Sequence, residues 1–251
     1  MSLKNLSVTI KIPKILKEKL ANKKVLQLYN NFEKSFKIQE DFIVAISGGP
    51  DSLALAFLAK IYSIKKGINC KYFIVDHKLR KNSTFEAKFV KKQLKKFSIN
   101  LDILNWHGTK PLNNIQSIAR KKRYSLIISK AKKLKIKNIL LGHHLDDLFE
   151  NFFIRILRGS GLNGLISLDQ ETQIDKINIL RPLLNFEKKD LIYISEYVFG
   201  SYVEDPSNID EKFKRVRIRN FLKELQLEGF DKNKFILKIN NLKYSNDAIK
   251  F

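Results

Sequence analysis

Cysteine is almost missing from this chain: Cys70 is the only one in 251 residues. A disulfide within the chain is therefore excluded, as is a zinc or iron–sulfur centre built from several of its own cysteines. Glycine and proline are sparse, at 10 and 5, and no residue type dominates a long tract, which argues against extended disorder. No apolar run is long enough to span a bilayer, so no membrane partner is expected. The opening stretch MSLKNLSVTIKIPKILKEKL carries charges throughout and has no apolar signal core, which makes the cytoplasm the expected location. Acidic residues are also short, 25 against 48 Lys and Arg, for a net charge of +23. Drift toward AT-rich codons accounts for Lys outnumbering Arg, but less well for the missing carboxylates. A field of this size attracts polyanions, nucleic acid or anionic lipid, and nucleic acid is the favoured reading.

What is present is a chain of 44% hydrophobic residues, enough to bury a core as one domain or one domain with a small appendage. No repeat with a period of tens of residues is visible. Residues 14–37 place Ile15, Leu16, Leu20, Val25, Leu28 and Phe32 at helical spacing. From there short apolar, β-branched runs alternate with helical patterns. The runs are Phe42–Ile46, Lys71–Asp76, Leu101–Trp106, Asn138–Gly142 and Ile177–Leu180. The helical patterns are Asp51–Ile64, Phe85–Phe97, Ile115–Leu134, Leu145–Leu157 and Glu187–Val198. This alternation predicts an α/β fold with a doubly wound parallel sheet of about five strands, covered on both faces. The expected organisation is a helical N-terminal extension over 1–40, the α/β domain over 41–222, and a short basic helical segment over 223–251. In such sheets ligands bind beyond the carboxyl ends of the strands.

The chemistry-bearing residues fall at those ends. Ser47-Gly48-Gly49-Pro50-Asp51-Ser52 joins the first strand to a helix. Two glycines allow positive φ and close approach of backbone to ligand, and Pro50 suits the first helical position. The amides of such a helix start bind phosphate, although Gly-Gly-Pro-Asp is also ordinary turn chemistry. Asp51 sits oddly beside phosphates unless a cation bridges it, so it is assigned to Mg²⁺ or to orienting the loop. Asp76, His77 and Arg80 end the second strand, as a charged turn or as a crevice edge. Arg120 and Arg123 share a helix face, as solvated charge or as a phosphate clamp. His143, His144, Asp146, Asp147 and Glu150 crowd the start of a later helix, where carboxylates three and four apart turn roughly one way. Metal ligation and plain helix capping both suit them.

The SGGPDS segment looks like the PP-loop of enzymes that cleave ATP between the α and β phosphates. Further segments resemble the tRNA(Ile)-lysidine synthases, in order: VDHKLR, ARKKRY, GHHLDDLFEN, RGSGLNGL, RPLL, EDPSN and RVRIRN. Many members of that family have Gln where Leu148 stands and Thr where Asn151 stands. The resemblance implies that ATP is bound as substrate, with Mg²⁺, by Ser47, Gly48, Gly49, Pro50, Asp51, Ser52, Asp76 and His77. It implies that Asp147 and Glu150 hold free L-lysine, with His143, Asp146, Arg120 and Arg123 as neighbouring catalytic groups. Arg158, Arg181, Arg215, Arg217 and Arg219 are the implied contacts to an isoleucine tRNA anticodon stem-loop. The implied reaction joins lysine to carbon 2 of the wobble cytidine through an adenylated base. Another PP-loop tRNA-modifying or amide-forming ATP-pyrophosphatase is the alternative.

Overall fold

The computed structural model describes residues 12–79, 81–108, 111, 115–205, 210–212 and 214–250. Arg80 and the Pro206-Ser207-Asn208 part of the EDPSN segment lie outside the described residues, as does the start of the N-terminal extension.

Two helices come first, α1 (Lys14–Leu20) and α2 (Lys23–Ser35). Asn22 caps α2, its side chain accepting from the amides of Lys24 and Val25 at 3.0 and 3.1 Å. The α/β part then runs β1 (Phe42–Ile46), α3 (Pro50–Lys66), β2 (Cys70–Asp76), α4 (Ser83–Lys95) and β3 (Leu101–Asn105). It continues through α5 (Ile115–Leu134), β4 (Asn138–Leu140), α6 (Leu145–Ile156) and the short α7 (Leu162–Leu165). After these come β5 (Glu171–Ile174), β6 (Ile177–Leu180), α8 (Lys188–Phe199), α9 (Lys214–Leu227) and α10 (Lys232–Lys250).

The strands form one six-stranded sheet in the order β3-β2-β1-β4-β6-β5. All pairings are parallel except β5 with β6. The antiparallel β5 is a sixth strand beyond the expected five. It folds back onto β6 through Asp175 and Lys176, both at positive φ, 50° and 64°. That backbone suits a two-residue hairpin turn of the primed kind.

Side chains of β1 alternate across the sheet and define its two cores. Phe42, Val44 and Ile46 pack with α3, α8, α1 and α2 on one face, where Leu53, Phe57, Leu191 and Ile194 are buried. Ile43 and Ala45 face α5, against Ile127, Ile128 and Ala131. A third apolar cluster lies away from the sheet, where α6 meets α9 and α10. The buried Phe149 lies within it, with Phe230 and Phe235 edge-on at 5.9 and 5.4 Å. The basic C-terminal stretch is thus packed against the helix that carries the acidic cluster.

Chain order places the active crevice. β1 continues outward to β2 and β3 on one side, while β4 lies on its other side. The order in which the chain lays down strands therefore reverses between β1 and β4, where open α/β sheets bind their ligands. At the far carboxyl edge the buried Trp106 donates its amide to the Asp76 carbonyl at 2.9 Å.

Candidate active site

The loop after β1 is closed by one hydroxyl. The Ser47 amide, the Gly48 amide and the Ser47 hydroxyl each donate to Ser52 Oγ at 3.1 Å. Ser52 Oγ donates in turn to the Gly49 carbonyl at 3.0 Å. Gly48 holds φ +90°, and a Cβ there would meet Val90 and Val203 side chains at 3.0 and 3.2 Å. Glycine is thus required both for the backbone angle and for space. Pro50 takes the first position of α3, and the first amides of that helix have no intrahelical acceptor. The result is a preformed anion cradle at the carboxyl end of β1.

The acidic motif is brought directly onto this cradle. A Cβ on Gly142, just past β4, would lie 3.2 Å from backbone atoms of Asp51 and Ser52. A side chain there would force the two segments apart by a few tenths of an ångström. His144 caps α6, its Nδ1 accepting from the Asp146 amide at 3.3 Å, and its Nε2 stands 3.8 Å from Asp51 and 3.5 Å from Asp147.

The acidic residues divide their tasks. Asp147 accepts the His144 amide at 3.0 Å. Burial opposes its ionisation, but His144, His143 and that amide hold its pKa below the ordinary value. Glu150 is 1% exposed. Its Oε1 accepts from Arg219 Nε at 2.8 Å, and its buried Oε2 has no hydrogen-bond partner among the described residues. Burial raises its pKa, the Asp147 charge adds to the rise, and Arg219 opposes both. Asp146 turns toward α10, where Lys232 Nζ is 3.0 Å away. The acidic motif therefore leaves Asp147 and Glu150 close enough for their charges to interact, with Asp146 tied to the C-terminal helix.

Arg120, on α5, reaches His143 Nε2 at 3.3 Å and Tyr124 Oη at 3.3 Å. Burial pushes the His143 pKa down to about 3, Asp147 acting against that and Arg120 with it. The imidazole is thus neutral at physiological pH and is a hydrogen-bond partner rather than a strong base. Arg123 sits beside Arg120, close enough for their charges to interact.

Asp76 is 1% exposed and points back into the fold. It accepts from Ser83 Oγ at 2.8 Å, Thr84 Oγ1 at 2.6 Å and the Lys78 amide at 3.0 Å. His77 Nδ1 accepts from the Leu79 amide at 3.3 Å. These contacts fix the turn that borders the crevice.

The five arginines expected on RNA separate into two groups. Arg181 is buried, donating to the Asp169 carbonyl at 2.8 Å and Thr172 Oγ1 at 3.1 Å, and Arg219 is committed to Glu150. Arg158, Arg215 and Arg217 are exposed, although Arg217 also donates to the Glu211 and Lys212 carbonyls at 2.7 and 3.1 Å.

Lys188, which no sequence motif marks, is the cation on Asp51. Its Nζ lies 2.7 Å from both carboxylate oxygens. The RPLL segment a few residues earlier sets its place by closing β6 and leading into α8. Among the described residues no group of three or more His, Cys, Asp or Glu could hold a metal ion. Cys70 is driven up to about 12, burial being the largest cause, which makes it an inert thiol.

Known proteins match this arrangement. A family described as a PP-loop domain matches residues 17–225. The tRNA(Ile)-lysidine synthase of Orientia tsutsugamushi is 37% identical over 199 residues, 79% of this chain and 45% of that protein. The tRNA(Ile)-lysidine synthase of Rhodopseudomonas palustris is 36% identical over 198 residues, 78% of this chain and 57% of that protein. The chain spans about half the length of the curated relatives it matches. Among solved structures, the U34-tRNA thiolase of Methanococcus maripaludis superposes with a TM-score of 0.75 at 15% identity, covering 88% of this chain and 78% of that one. That likeness is one of fold. With its loop, its sheet order and these relatives, the chain belongs to the PP-loop domain family and is similar within it to the tRNA(Ile)-lysidine synthases.

Proposed function

We propose that the chain adenylates the wobble cytidine of an isoleucine tRNA anticodon with ATP and then joins free lysine to carbon 2 of that base. The observation that carries this reading is the contact of the two motifs. Gly142 places the start of the acidic helix against the first turn of the phosphate cradle. An adenylated base formed at the cradle would already lie beside Asp147 and Glu150.

In the first step the cytidine O2 attacks the α-phosphorus. The bond to the bridging oxygen of the β-phosphate breaks, and diphosphate leaves. The amides after Gly49 and the dipole of α3 hold the phosphates, while Mg²⁺ travels with ATP as part of the substrate. In the second step the lysine ε-amine attacks carbon 2 and AMP leaves. The amine must first shed a proton. Glu150 has a raised pKa and a buried Oε2 with no partner among the described residues, so it suits both the ammonium and its proton. Most of the rate would come from holding reactants in place beside fixed charge. Arg158 and Arg215 supply exposed charge for the RNA backbone.

The fold neighbour is a thiolase with its 4Fe-4S cluster. Such clusters are held by several cysteine thiolates, and this chain has only Cys70. Mass analysis of isoleucine tRNA incubated with ATP, lysine and the protein tests the proposal. The expected product is a cytidine heavier by one lysine less water. Diphosphate release that needs no RNA, or an RNA that never gains that mass, would sink it.

A further inference from the structure

We infer that the outer face of α4 is a stacking platform for unpaired RNA bases, with Phe85 and Phe89 as its rings. The inference rests on the reading of the chain as an RNA-modifying enzyme, and it gives that partner a surface outside the crevice. Phe85 is 72% exposed and Phe89 39%. They stand four apart on α4, so both rings lie on one face of the helix, with Cβ atoms about 6 Å apart. Lys88, Lys92 and Lys96 fall on the same face at helical spacing, and all three are exposed. The only acid of the helix, Glu86, is turned about 100° away from Phe85.

The inner face of α4 fixes where this stripe lies. Ala87, Val90 and Leu94 are buried in the core, and Val90 reaches the loop after β1, 3.0 Å from where a Cβ on Gly48 would stand. The first turn of the helix is tied to the crevice rim, Ser83 and Thr84 donating to Asp76 at 2.8 and 2.6 Å. The stripe therefore begins at the rim with Phe85 and runs outward for about 16 Å to Lys96. An RNA strand that places one nucleotide in the crevice crosses this rim, and its flanking nucleotides meet the stripe.

The alternation of ring and ammonium decides the occupant. A lone exposed apolar residue is ordinary, but two aromatic rings on one face among lysines are a pattern. A partner helix would need a continuous apolar seam, and lysines interrupt this one. A second copy of the chain, paired through the same face, would set lysines against lysines. Unpaired RNA satisfies both features, because its bases stack on the rings while its phosphates meet the ammonium groups.

The test measures the affinity of the full chain for two RNA probes, the isoleucine tRNA anticodon stem-loop and a blunt duplex with the same number of phosphates. F85A with F89A should weaken the stem-loop roughly tenfold or more and the duplex by no more than about twofold. F85W with F89W should keep the stem-loop affinity, whereas F85L with F89L should lose it as alanine does. The leucine pair retains apolar bulk, so it carries the comparison if thermal melts show that alanine disturbs the fold. K88Q with K92Q should weaken both probes and lower the slope of log affinity against log salt by about one to two. Leucine variants that bind the stem-loop as tightly as the wild type would show that the rings do not stack, and the inference would be overturned. It is overturned equally if the ring variants lose binding to phosphatidylserine vesicles while their RNA binding is intact. If the wild type binds neither RNA, the RNA reading of the chain fails along with the platform.

Discussion

A carboxyl group sealed from water gives up its proton late, and Glu150 is such a group. As pH falls through its raised pKa, it takes a proton before an ordinary glutamate would. The apparent KM for lysine should then climb on the acid side while diphosphate release is spared. Glu150→Gln copies the protonated form at every pH. We expect it to raise the KM for lysine by roughly tenfold or more and to flatten that acid limb. Steady-state AMP formation against lysine concentration, across pH, measures both, and equal loss of the two steps would contradict the role. Asp76 obeys the opposite sign. Although burial works against it, the Thr84 and Ser83 hydroxyls and the Lys78 amide hold its folded pKa below the unfolded one. The stability it lends is present above the ordinary aspartate pKa and is lost as pH falls through the folded value. Asp76→Asn should cost about 1–3 kcal/mol at neutral pH and less in acid, as read from urea melts over that range.

Elements meet here through small residues and aromatic rings. Gly142→Ala would push a methyl into backbone atoms of Asp51 and Ser52, which have no flexible end to yield. We expect a loss of about 1–3 kcal/mol in stability and a clear weakening of ATP affinity, checked by melts and by nucleotide titration. Phe149→Ala would empty the knot joining α6 to α9 and α10, at a cost of about 3–5 kcal/mol. How far such elements are legible in the sequence depends on burial. Phe42–Ile46 is readable as a strand because both faces of β1 are covered and every position is apolar. Glu171–Ile174 is not, because β5 is an edge strand of mostly exposed residues and its turn, Asp175-Lys176, contains no glycine. Within the site, the phosphate cradle is legible because glycine and proline mark its backbone locally. Lys188 is not: it meets Asp51 across 137 residues of chain, and one lysine among 48 basic residues carries no local mark. Arg181 and Arg219 show the same gap, since sequence reports a charge but not the direction it faces.

For the molecule as a whole, the excess of 23 positive charges would govern how the proposed RNA partner is met. Each phosphate neutralised releases counterions, so affinity for an isoleucine tRNA should fall steeply with salt. Replacing Arg158 or Arg215 with Ala should lower the slope of log affinity against log salt by about one, with little effect on melting temperature. Filter binding over a salt series measures this. A flat response would make the charge a matter of composition alone.

The indole of Trp106 gives a practical handle on this architecture. It is the only tryptophan of the chain, and it is tied by its own amide to the end of β2, where the crevice begins. All tryptophan fluorescence of this chain therefore originates at one known place, beside Asp76. A nucleotide titration followed by emission, excited where tyrosine does not absorb, reads that edge with no dye attached and no second tryptophan to subtract.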